Sequence, residues 1–256
     1  MRSSHRWPKD SYFWAFRQCS CYHLAMEDAK TGFLLVDKPA DWTSFDVVAK
    51  LRSITGIRKI GHAGTLDPFA TGLLIIAIGR GATKQIDQYM KLDKTYETTF
   101  RVGYTSTTHD PEGKIMPVDD GGKYDAWPDK ERMQKAIDEA FTGTIKQVPP
   151  MHSAIKVSGK KLYELARQGK EIERKPREVT IHEFTMHDYK NAELTATLRV
   201  SSGTYIRAIA RDIGEYFGLG AYCTQLRRTK IADFDVKDAH TIDEITKENW
   251  HTFLIK

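Results

Sequence analysis

The stretch Gly61–Leu74, GHAGTLDPFATGLL, most restricts how this chain can fold. Glycine reaches positive φ without a steric penalty, and proline fixes its own φ and disfavours the helical region for the residue before it. Asp67 precedes Pro68, so its carboxylate is predicted to be presented rigidly. The apolar run Leu73–Gly79 that follows is typical of a strand buried on both faces. The sequence therefore predicts a loop carrying one carboxylate at the rim of a core strand.

The same loop also allows a purely structural interpretation. Asp-Pro is a common way to open a turn, in which the carboxylate bonds to its own backbone. A functional loop is favoured because His62, Thr65 and Thr71 crowd around Asp67 within ten residues. Loops held at the rim of a core strand commonly carry binding and catalytic residues.

Composition narrows the class of protein. A chain of 256 residues with 40% hydrophobic content can form one large domain or two modest ones with a sizeable core. The longest clear apolar run, Leu73–Ile78, is far shorter than the ~18 residues of a membrane span, so we expect a protein without a membrane partner. Cys19, Cys21 and Cys223 cannot all pair with one another and form no C-x-x-C motif, which favours a cytoplasmic setting without a structural metal.

The positive charge of the chain is concentrated in one segment. Between Lys156 and Arg177 there are eight basic and three acidic residues, an excess that equals the net charge of +5 for the whole chain. Such a concentration favours an anionic partner such as nucleic acid, although a charge run is also typical of a solvated face.

Residues 1–26 are basic and aromatic, lack the apolar region of a secretory signal, and are predicted to be a disordered extension. A start codon placed upstream of Met26, or a transit peptide, would account for them.

Helices are predicted after Thr43 or Ser44, at Ala82–Met90, after Asp129, at Lys161–Gln168 and at Thr204–Phe217. Strands are predicted from Gly32 to Pro39, at Lys94–Gly103, at Glu178–Tyr189 and Glu193–Ser201 as a hairpin, and at Ala221–Ile231. Residues Thr241–Lys256 form a weakly patterned tail.

Several familiar catalytic motifs are absent. The chain has no G-x-x-x-x-G-K-[ST] loop, no H-E-x-x-H and no G-x-S-x-G, so nucleotide and metal chemistry are not predicted. What remains is Asp67, the tyrosines Tyr96 and Tyr205, the cation Arg207 and the basic segment. A carboxylate can act as a covalent nucleophile, and a buried one stays ionised only if a neighbouring guanidinium offsets its desolvation.

Six motifs occur in one order along the chain: FLLVDKPADWTS, GHAGTLDPFATGLL, KTYE, VPPMHSAIKVSGKKLYELARQG, SSGTYIRAIARDIG and LRRT. Together they resemble the bacterial tRNA pseudouridine-55 synthase family, from about Gly32 to Thr229. The resemblance implies an α+β pseudouridine synthase fold, with a mixed, mostly antiparallel sheet, flanking helices and an inserted thumb at about 149–177. The catalytic domain is expected at 27–240, followed by a short tail at 241–256.

The resemblance implies that one uridine in the T loop of tRNA is isomerised, without cofactor or metal. The N-glycosidic bond breaks, the uracil turns and it is rejoined to the ribose through carbon 5. Asp67 falls on the family's catalytic aspartate, a nucleophile toward either the ribose or the uracil ring. Arg207 falls on the arginine that pairs with it, and Asp110 on a second carboxylate that braces the arginine.

Other positions match residues around the base. Tyr96 falls on the tyrosine that stacks on the target base and could handle the carbon-5 proton, although the strand pattern alone indicates a core aromatic. Tyr205 and Leu226 match pocket residues, and Lys38 belongs to the family's K-P motif. His62 matches the wedge that fills the stack after the base is extruded, a task that suits a flat imidazole; taken alone, it would be interpreted as structural.

The thumb is expected to contact RNA phosphates through Lys160, Lys161 and Arg167. The chain is expected to act as a monomer on the tRNA T stem-loop.

The chain departs from the family pattern at two places. Ser106 replaces the first aspartate of the T-D-T-x-D segment, and the chain ends soon after Leu226, where bacterial members usually continue into a small RNA-binding domain. Weaker and more salt-sensitive tRNA binding is therefore predicted. The alternatives are a guide-RNA-dependent relative that shares G-T-L-D-P, and an RNA chaperone that assists tRNA folding.

Overall fold

The computed structural model describes residues 31–119, 121, 127–151, 153, 156–157, 160–161 and 172–255. The extension 1–26 and nearly all of the helix expected at Lys161–Gln168 lie outside these residues. Across the described ranges, no helix combines the length and the apolar character needed to cross a membrane.

The α-helices of the described ranges are α1 (Ser44–Thr55), α2 (Gly79–Met90), α3 (Lys130–Ala140) and α4 (Ile206–Phe217). Thr43, rather than Ser44, caps α1. Its hydroxyl accepts from the Asp46 N–H at 3.1 Å, and the Asp46 carboxylate accepts from the Thr43 N–H at 2.8 Å. This reciprocal capping box satisfies two backbone donors and leaves the Ser44 hydroxyl for another partner.

The strands of the main sheet are β1 (Gly32–Lys38), β2 (Ile60–Ala63), β3 (Thr71–Ile78), β4 (Lys94–Val102), β7 (Gly143–Gln147), β10 (Arg177–Lys190), β11 (Glu193–Val200), β12 (Ala221–Ile231), β13 (Phe234–Asp235) and β14 (His240–Thr241). Two small hairpins pair β5 (Tyr104–Ser106) with β6 (Ile115–Pro117), and β8 (Lys156–Val157) with β9 (Lys160–Lys161). The predicted strands and their hairpin are present, and Lys161 lies in a strand where a helix was expected.

The main sheet runs in the order β14-β1-β3-β12-β4-β11-β10-β7. Its β1–β14 and β3–β12 pairs are parallel and the others are antiparallel. The α+β class and the mixed, mostly antiparallel sheet expected from the resemblance are confirmed.

The middle of this sheet is split. β1 occupies one edge of β3 along its whole length, so β2 and β12 must share the other edge. β2 pairs with the end of β3 at Ile75–Ile78, whereas β12 pairs with its beginning at Thr71 and Gly72. The loop from Gly64 to Ala70 connects β2 to β3 and therefore lies where the two neighbours of β3 diverge.

Strand β3 is buried on both faces, as its continuous apolar sequence predicts. Ile76 packs with Val47, Leu51 and other residues of α1, whereas its neighbour Ile75 packs with Ala82 of α2 on the opposite side. A third apolar cluster covers β4, β10, β11 and β12 with helices α3 and α4. The loop after β2 is thus anchored on the most deeply buried strand.

The C-terminal segment, expected as a weakly patterned tail outside the catalytic domain, packs into it. Strand β14 pairs with β1, and two 3₁₀-helices follow, at Ile242–Glu244 and Trp250–Phe253. Ile242, Ile245 and Trp250 are each at most 5% exposed. The pattern was weak because short 3₁₀ turns have no long apolar period, so burial there depends on contacts with β1 and α1.

Candidate active site

Asp67 lies in the loop between β2 and β3, at the split of the sheet. Glycines at both ends of this loop have positive φ: Gly64 at 82° and Gly72 at 103°. A Cβ on Gly72 would lie 2.3 Å from the carbonyl oxygen of Arg228, so only glycine lets β3 approach β12 here. Within the loop, the Asp67 carbonyl accepts from the Ala70 N–H at 3.1 Å. The rigid presentation that the sequence predicts for Asp67 therefore has a structural basis.

Arg207, in the first turn of α4, binds the Asp67 carboxylate through two of its guanidinium nitrogens. Nε lies 2.8 Å from Oδ2, and Nη2 donates to Oδ1 at 2.9 Å. The Arg207 side chain is 3% exposed, whereas that of Asp67 is 31% exposed. The guanidinium is thus sealed in the protein while the carboxylate keeps one side open to a ligand, and this bidentate geometry fixes the direction in which the acid points.

The third nitrogen of Arg207, Nη1, donates to Asp110 Oδ2 at 2.8 Å and to the Thr108 carbonyl at 2.8 Å. Asp110 is itself 1% exposed, and its Oδ1 accepts from the Thr108 hydroxyl and from the Glu112 N–H. Asp110 and Asp67 therefore contact the same buried guanidinium. Ser106, which departs from the family motif, donates its hydroxyl to the Asp110 carbonyl at 2.6 Å and so helps to shape this loop.

Burial is the largest influence on the pKa values of Asp67 and Arg207. It raises the pKa of the Asp67 carboxyl, an effect that the Arg207 guanidinium opposes and the nearby Asp110 reinforces. Burial alone would lower the pKa of Arg207, but the two carboxylates overcome it, so the net pKa of Arg207 is raised. The arginine therefore stays charged, and the direct pair favours the ionised form of Asp67.

Two buried cations hold the backbone of the Asp67 loop from behind. Arg228, 1% exposed, donates Nε to the Leu73 carbonyl at 2.7 Å and Nη2 to the Gly64 carbonyl at 3.0 Å. Lys38, fully buried, donates to the carbonyls of Pro39, Trp42 and Pro68 at 2.7, 2.7 and 3.1 Å. Burial lowers the pKa of Lys38 to about 8, and the negative charge of Asp67 opposes that shift. These contacts fix both ends of the loop and the residue after Asp67.

Tyr96, on β4, is 8% exposed in the apolar cluster that also contains Leu66 and Ala70, which flank Asp67, and Leu226 of β12. An open groove of about 570 Å³ is lined by Phe69, Thr98 and Leu226, among others. The structure thus places Tyr96 and Leu226 in the apolar cluster beside the Asp67 loop. Tyr96 also packs as a core aromatic residue, which is what the alternating pattern of its strand indicates.

His62 lies on β2, five residues before Asp67, and is half-buried. Its ring meets that of Phe45 edge to face, with centroids 5.6 Å apart and planes at 88°. Its buried Nδ1 has no hydrogen-bond partner among the described residues. Burial, aided by the positive charge of Arg228, lowers the pKa of His62 to about 4, so the imidazole is neutral at pH 7.

Tyr205 precedes α4, and its backbone is clamped by Gln147, whose amide accepts from the Tyr205 N–H at 2.9 Å and donates to its carbonyl at 3.1 Å. The guanidinium of Arg177 lies 5.0 Å from the centre of the Tyr205 ring. Of the thumb residues, Lys160 and Lys161 pair with β8 through the backbone, and Arg167 lies outside the described residues.

Comparison with known proteins decides the family. The model of the TruB family pseudouridylate synthase N-terminal domain matches residues 52–206, and that of the tRNA pseudouridylate synthase B C-terminal domain matches residues 207–253. The chain belongs to the TruB family of pseudouridylate synthases. The boundary between the two TruB models falls at Arg207, so the acid and its arginine come from different matched regions and meet only in the fold.

Curated TruB relatives are similar in sequence to most of the chain. The tRNA pseudouridine synthase B of Thermobifida fusca (strain YX) is 43% identical over 225 residues, 85% of this chain and 75% of that protein. That of Chlorobaculum tepidum is 46% identical over 224 residues, 84% of this chain and 90% of that protein.

Solved structures share the TruB fold at lower identity. A crystal structure of a Cbf5-Nop10-Gar1 complex superimposes with a TM-score of 0.66 at 24% identity, covering 90% of this chain and 57% of the matched one. A structure of an H/ACA RNP bound to a substrate RNA containing 2'-deoxyuridine gives a TM-score of 0.63 at 21% identity, covering 90% and 56%. These likenesses concern the fold.

Sequence reasoning missed several residues that shape this TruB site. Arg228 lies in the LRRT motif, but a buried arginine that bonds to carbonyls gives no signal beyond its presence in that motif. Ser44 was considered only as a helix cap, whereas its hydroxyl bonds to the backbone of Leu66. Gln147 and Thr108 reach the site through contacts between residues distant in sequence, which no local pattern predicts.

Proposed function

We propose that this chain is a tRNA pseudouridine synthase that isomerises the T-loop uridine at tRNA position 55, acting as a monomer in the cytoplasm without cofactor or metal. The observation that carries the proposal is the paired carboxylate of Asp67, held by a buried guanidinium on one side and 31% exposed on the other. Such a group is fixed in direction and accessible to a nucleoside, and its charged arginine partner favours the ionised form.

The reaction needs no oxidant or co-substrate, because uridine and pseudouridine are isomers. The bond between N1 and C1' breaks, a bond between C5 and C1' forms, the proton on C5 leaves and N1 gains a proton. Asp67 is the only proposed nucleophile, toward C1' of the ribose or toward the uracil ring. Arg207 holds that carboxylate in place, and its two carboxylate partners keep it charged.

The substrate uridine is stacked inside a folded loop, so its reacting atoms become accessible only when it is extruded. Tyr96, in the cluster beside Asp67, is proposed to stack on the extruded base and to take the C5 proton. Leu226 and Tyr205 would border the pocket, and His62, neutral at pH 7, would fill the vacated stack without adding a charge to it.

Phosphate binding is proposed for the thumb residues Lys160, Lys161 and Arg167, because the positive charge of the chain is concentrated in their segment. Two alternative functions, a guide-RNA-dependent pseudouridine synthase and an RNA chaperone, can be distinguished by activity assays. Activity on a transcript alone, with no guide RNA and no partner protein, excludes the guide-RNA-dependent enzyme. Folding assistance without pseudouridine formation would favour the chaperone.

Asp67→Asn is the direct test of the proposed chemistry. The amide cannot act as the nucleophile, so pseudouridine formation should fall by about 10⁴-fold or more. The measurement is tritium release from a tRNA transcript labelled at uracil C5, together with the Kd for that transcript, which should stay within a few-fold of wild type.

Asp37→Asn is the matched control, because Asp37 also forms a bidentate pair with an arginine, Arg227, at 2.6 and 3.1 Å. This variant should keep its activity within a few-fold of wild type. If Asp67→Asn releases tritium at the wild-type rate, Asp67 is not the nucleophile, and if the wild-type chain releases none, the proposed function is wrong.

A further inference from the structure

Phe45 is an apolar ring in contact with water beside the catalytic loop. It lies in the first turn of α1 and is 65% exposed, more than any other large hydrophobic side chain that the structure describes. Aromatic side chains are the surfaces on which unpaired bases stack in proteins that bind single-stranded RNA. The proposed reaction assigns no role to this ring.

The position of Phe45 relative to Asp67 is fixed by the residues before each of them. The hydroxyl of Ser44 accepts from the Leu66 N–H at 2.9 Å and donates to the Leu66 carbonyl at 3.3 Å. Ser44 and Leu66 are both buried, at 1% and 3% exposure, so this double contact is shielded from water. Phe45 follows Ser44 and Asp67 follows Leu66, so the exposed ring and the catalytic acid are held on one rigid unit.

Phe45 also supports His62. The two rings meet edge to face at 5.6 Å, and Nδ1 of His62 has no hydrogen-bond partner in the described part of the chain. Arg52 ties α1 to the approach of β2, donating to the carbonyls of Arg58 at 3.1 Å and Ile60 at 3.3 Å. The pair of rings therefore stands on a braced helix and strand rather than on a free loop.

The surroundings of the pair favour an RNA partner. Arg58 and Lys59 are exposed immediately before β2, the strand that carries His62. Aromatic rings next to exposed cations are the usual surface for unstacked bases and their phosphates. An apolar protein partner would gain little here, because Phe45 is a single ring bordered by charged and polar neighbours.

We propose that Phe45 is a second stacking residue: its ring packs on an unpaired T-loop base next to the extruded uridine, while His62 fills the space that the uridine leaves. This inference rests on the proposed function. Phe45 is a positioning residue, since it touches a neighbouring base and not the reacting atoms. It should affect RNA binding and leave the chemical step unchanged.

The test uses a T stem-loop RNA with 2-aminopurine at each unpaired loop position in turn, and the full chain as wild type, Phe45→Ala, Phe45→Trp and Phe45→Leu. Stacking on Phe45 should change the 2-aminopurine fluorescence at one position in wild type and in Phe45→Trp, and that change should vanish in Phe45→Ala and shrink in Phe45→Leu. Kd and KM for the unlabelled RNA should rise about tenfold in Phe45→Ala, with kcat unchanged at saturating RNA.

Tyr216→Ala is the matched control, because Tyr216 is 55% exposed in the last turn of α4, nine residues from Arg207 and thus about 14 Å along the helix. It should keep wild-type Kd. If wild type forms pseudouridine but Phe45→Ala has the same Kd and fluorescence, only this inference is overturned. If wild type forms no pseudouridine, the proposed function is overturned, and the inference with it.

Discussion

Two buried arginines flank the Asp67 loop and bond to different kinds of group. Arg207, 2% exposed, binds two carboxylates in front of the loop, those of Asp67 and Asp110. Arg228, 1% exposed, binds two backbone carbonyls behind it, those of Gly64 and Leu73. Within the described ranges, Arg228 has no carboxylate at ion-pair distance. Arg207 therefore balances the negative charge of the site, whereas Arg228 holds the loop backbone in its conformation.

The difference explains how the ionised form of an acid can be favoured while the acid is held in place. The desolvation of Arg207 is offset by two negative charges, so its charge is available to Asp67. Arg228 and Lys38 instead donate to backbone carbonyls, which fixes the loop backbone without binding the Asp67 carboxylate. The front of the loop should therefore control chemistry and stability together, and the back should control the position of the acid.

Removing the front arginine should have the largest effect. Arg207→Met leaves the nearly fully buried Asp110 without its cation, so the free energy of unfolding should fall by about 3–5 kcal/mol. Activity should fall by about 10²–10³-fold, because Asp67 loses its fixed direction. The measurements are urea unfolding and tritium release.

The pH dependence gives this prediction a sign. Burial already raises the pKa of the Asp67 carboxyl with the guanidinium in place, so its removal raises that folded-state pKa further above the unfolded value, and the folded variant binds more protons than the unfolded chain. Its stability should therefore increase as the pH is lowered from 7 toward 5. A variant whose stability stays flat or decreases over that range would show that Arg207 does not offset the charge of these acids.

The back arginine should have an intermediate effect. Arg228→Lys keeps the charge but cannot reach the Gly64 and Leu73 carbonyls in the same fork, so one buried acceptor is left unsatisfied at about 1–3 kcal/mol. We expect kcat to fall about tenfold or more with unchanged Kd for RNA, since the acid is displaced while the RNA surface is intact.

The neighbouring residue provides the control for this variant. Arg227 is 38% exposed and pairs with Asp37 near the surface, so Arg227→Lys should cost less than about 1 kcal/mol and leave kcat unchanged. Equal losses of kcat in the two lysine variants would contradict a special role for the buried position.

The smallest effect is expected in the segment that rests on the loop. Asp41 has a φ of 62°, and its N–H donates to the Pro68 carbonyl at 3.0 Å, the oxygen that Lys38 also binds. Glycine tolerates this conformation and alanine does not, so Asp41→Gly should be about 1 kcal/mol more stable than Asp41→Ala. Thermal unfolding of the two variants measures the difference, and the reverse order would mean that backbone strain is absent at this position.

The sequence predicted the parts of this protein that follow from local rules. A continuous apolar run predicted the doubly buried β3, alternation predicted β4 and the β10–β11 hairpin, and glycine and proline predicted a rigid loop around Asp67. The family resemblance predicted the pairing of Asp67 with Arg207 and its brace Asp110, which residues alone could not have joined. Burial of the C-terminal segment was not predicted, because its 3₁₀ turns have too short a period to produce a recognisable apolar pattern.

By itself, the sequence thus determined that the loop around Asp67 would be rigid, since backbone sterics act within a few residues, and it indicated candidate side chains for a site. Only the tertiary structure decided which partners meet: Arg207 is 140 residues from Asp67, and Arg228 is 164 from Gly64. The splitting of the sheet between β2 and β12, which brings these residues together, arises from pairing across the whole chain. Long-range pairing and burial leave no local pattern, so the residue patterns alone could not assign one arginine to the carboxylates and the other to the backbone carbonyls.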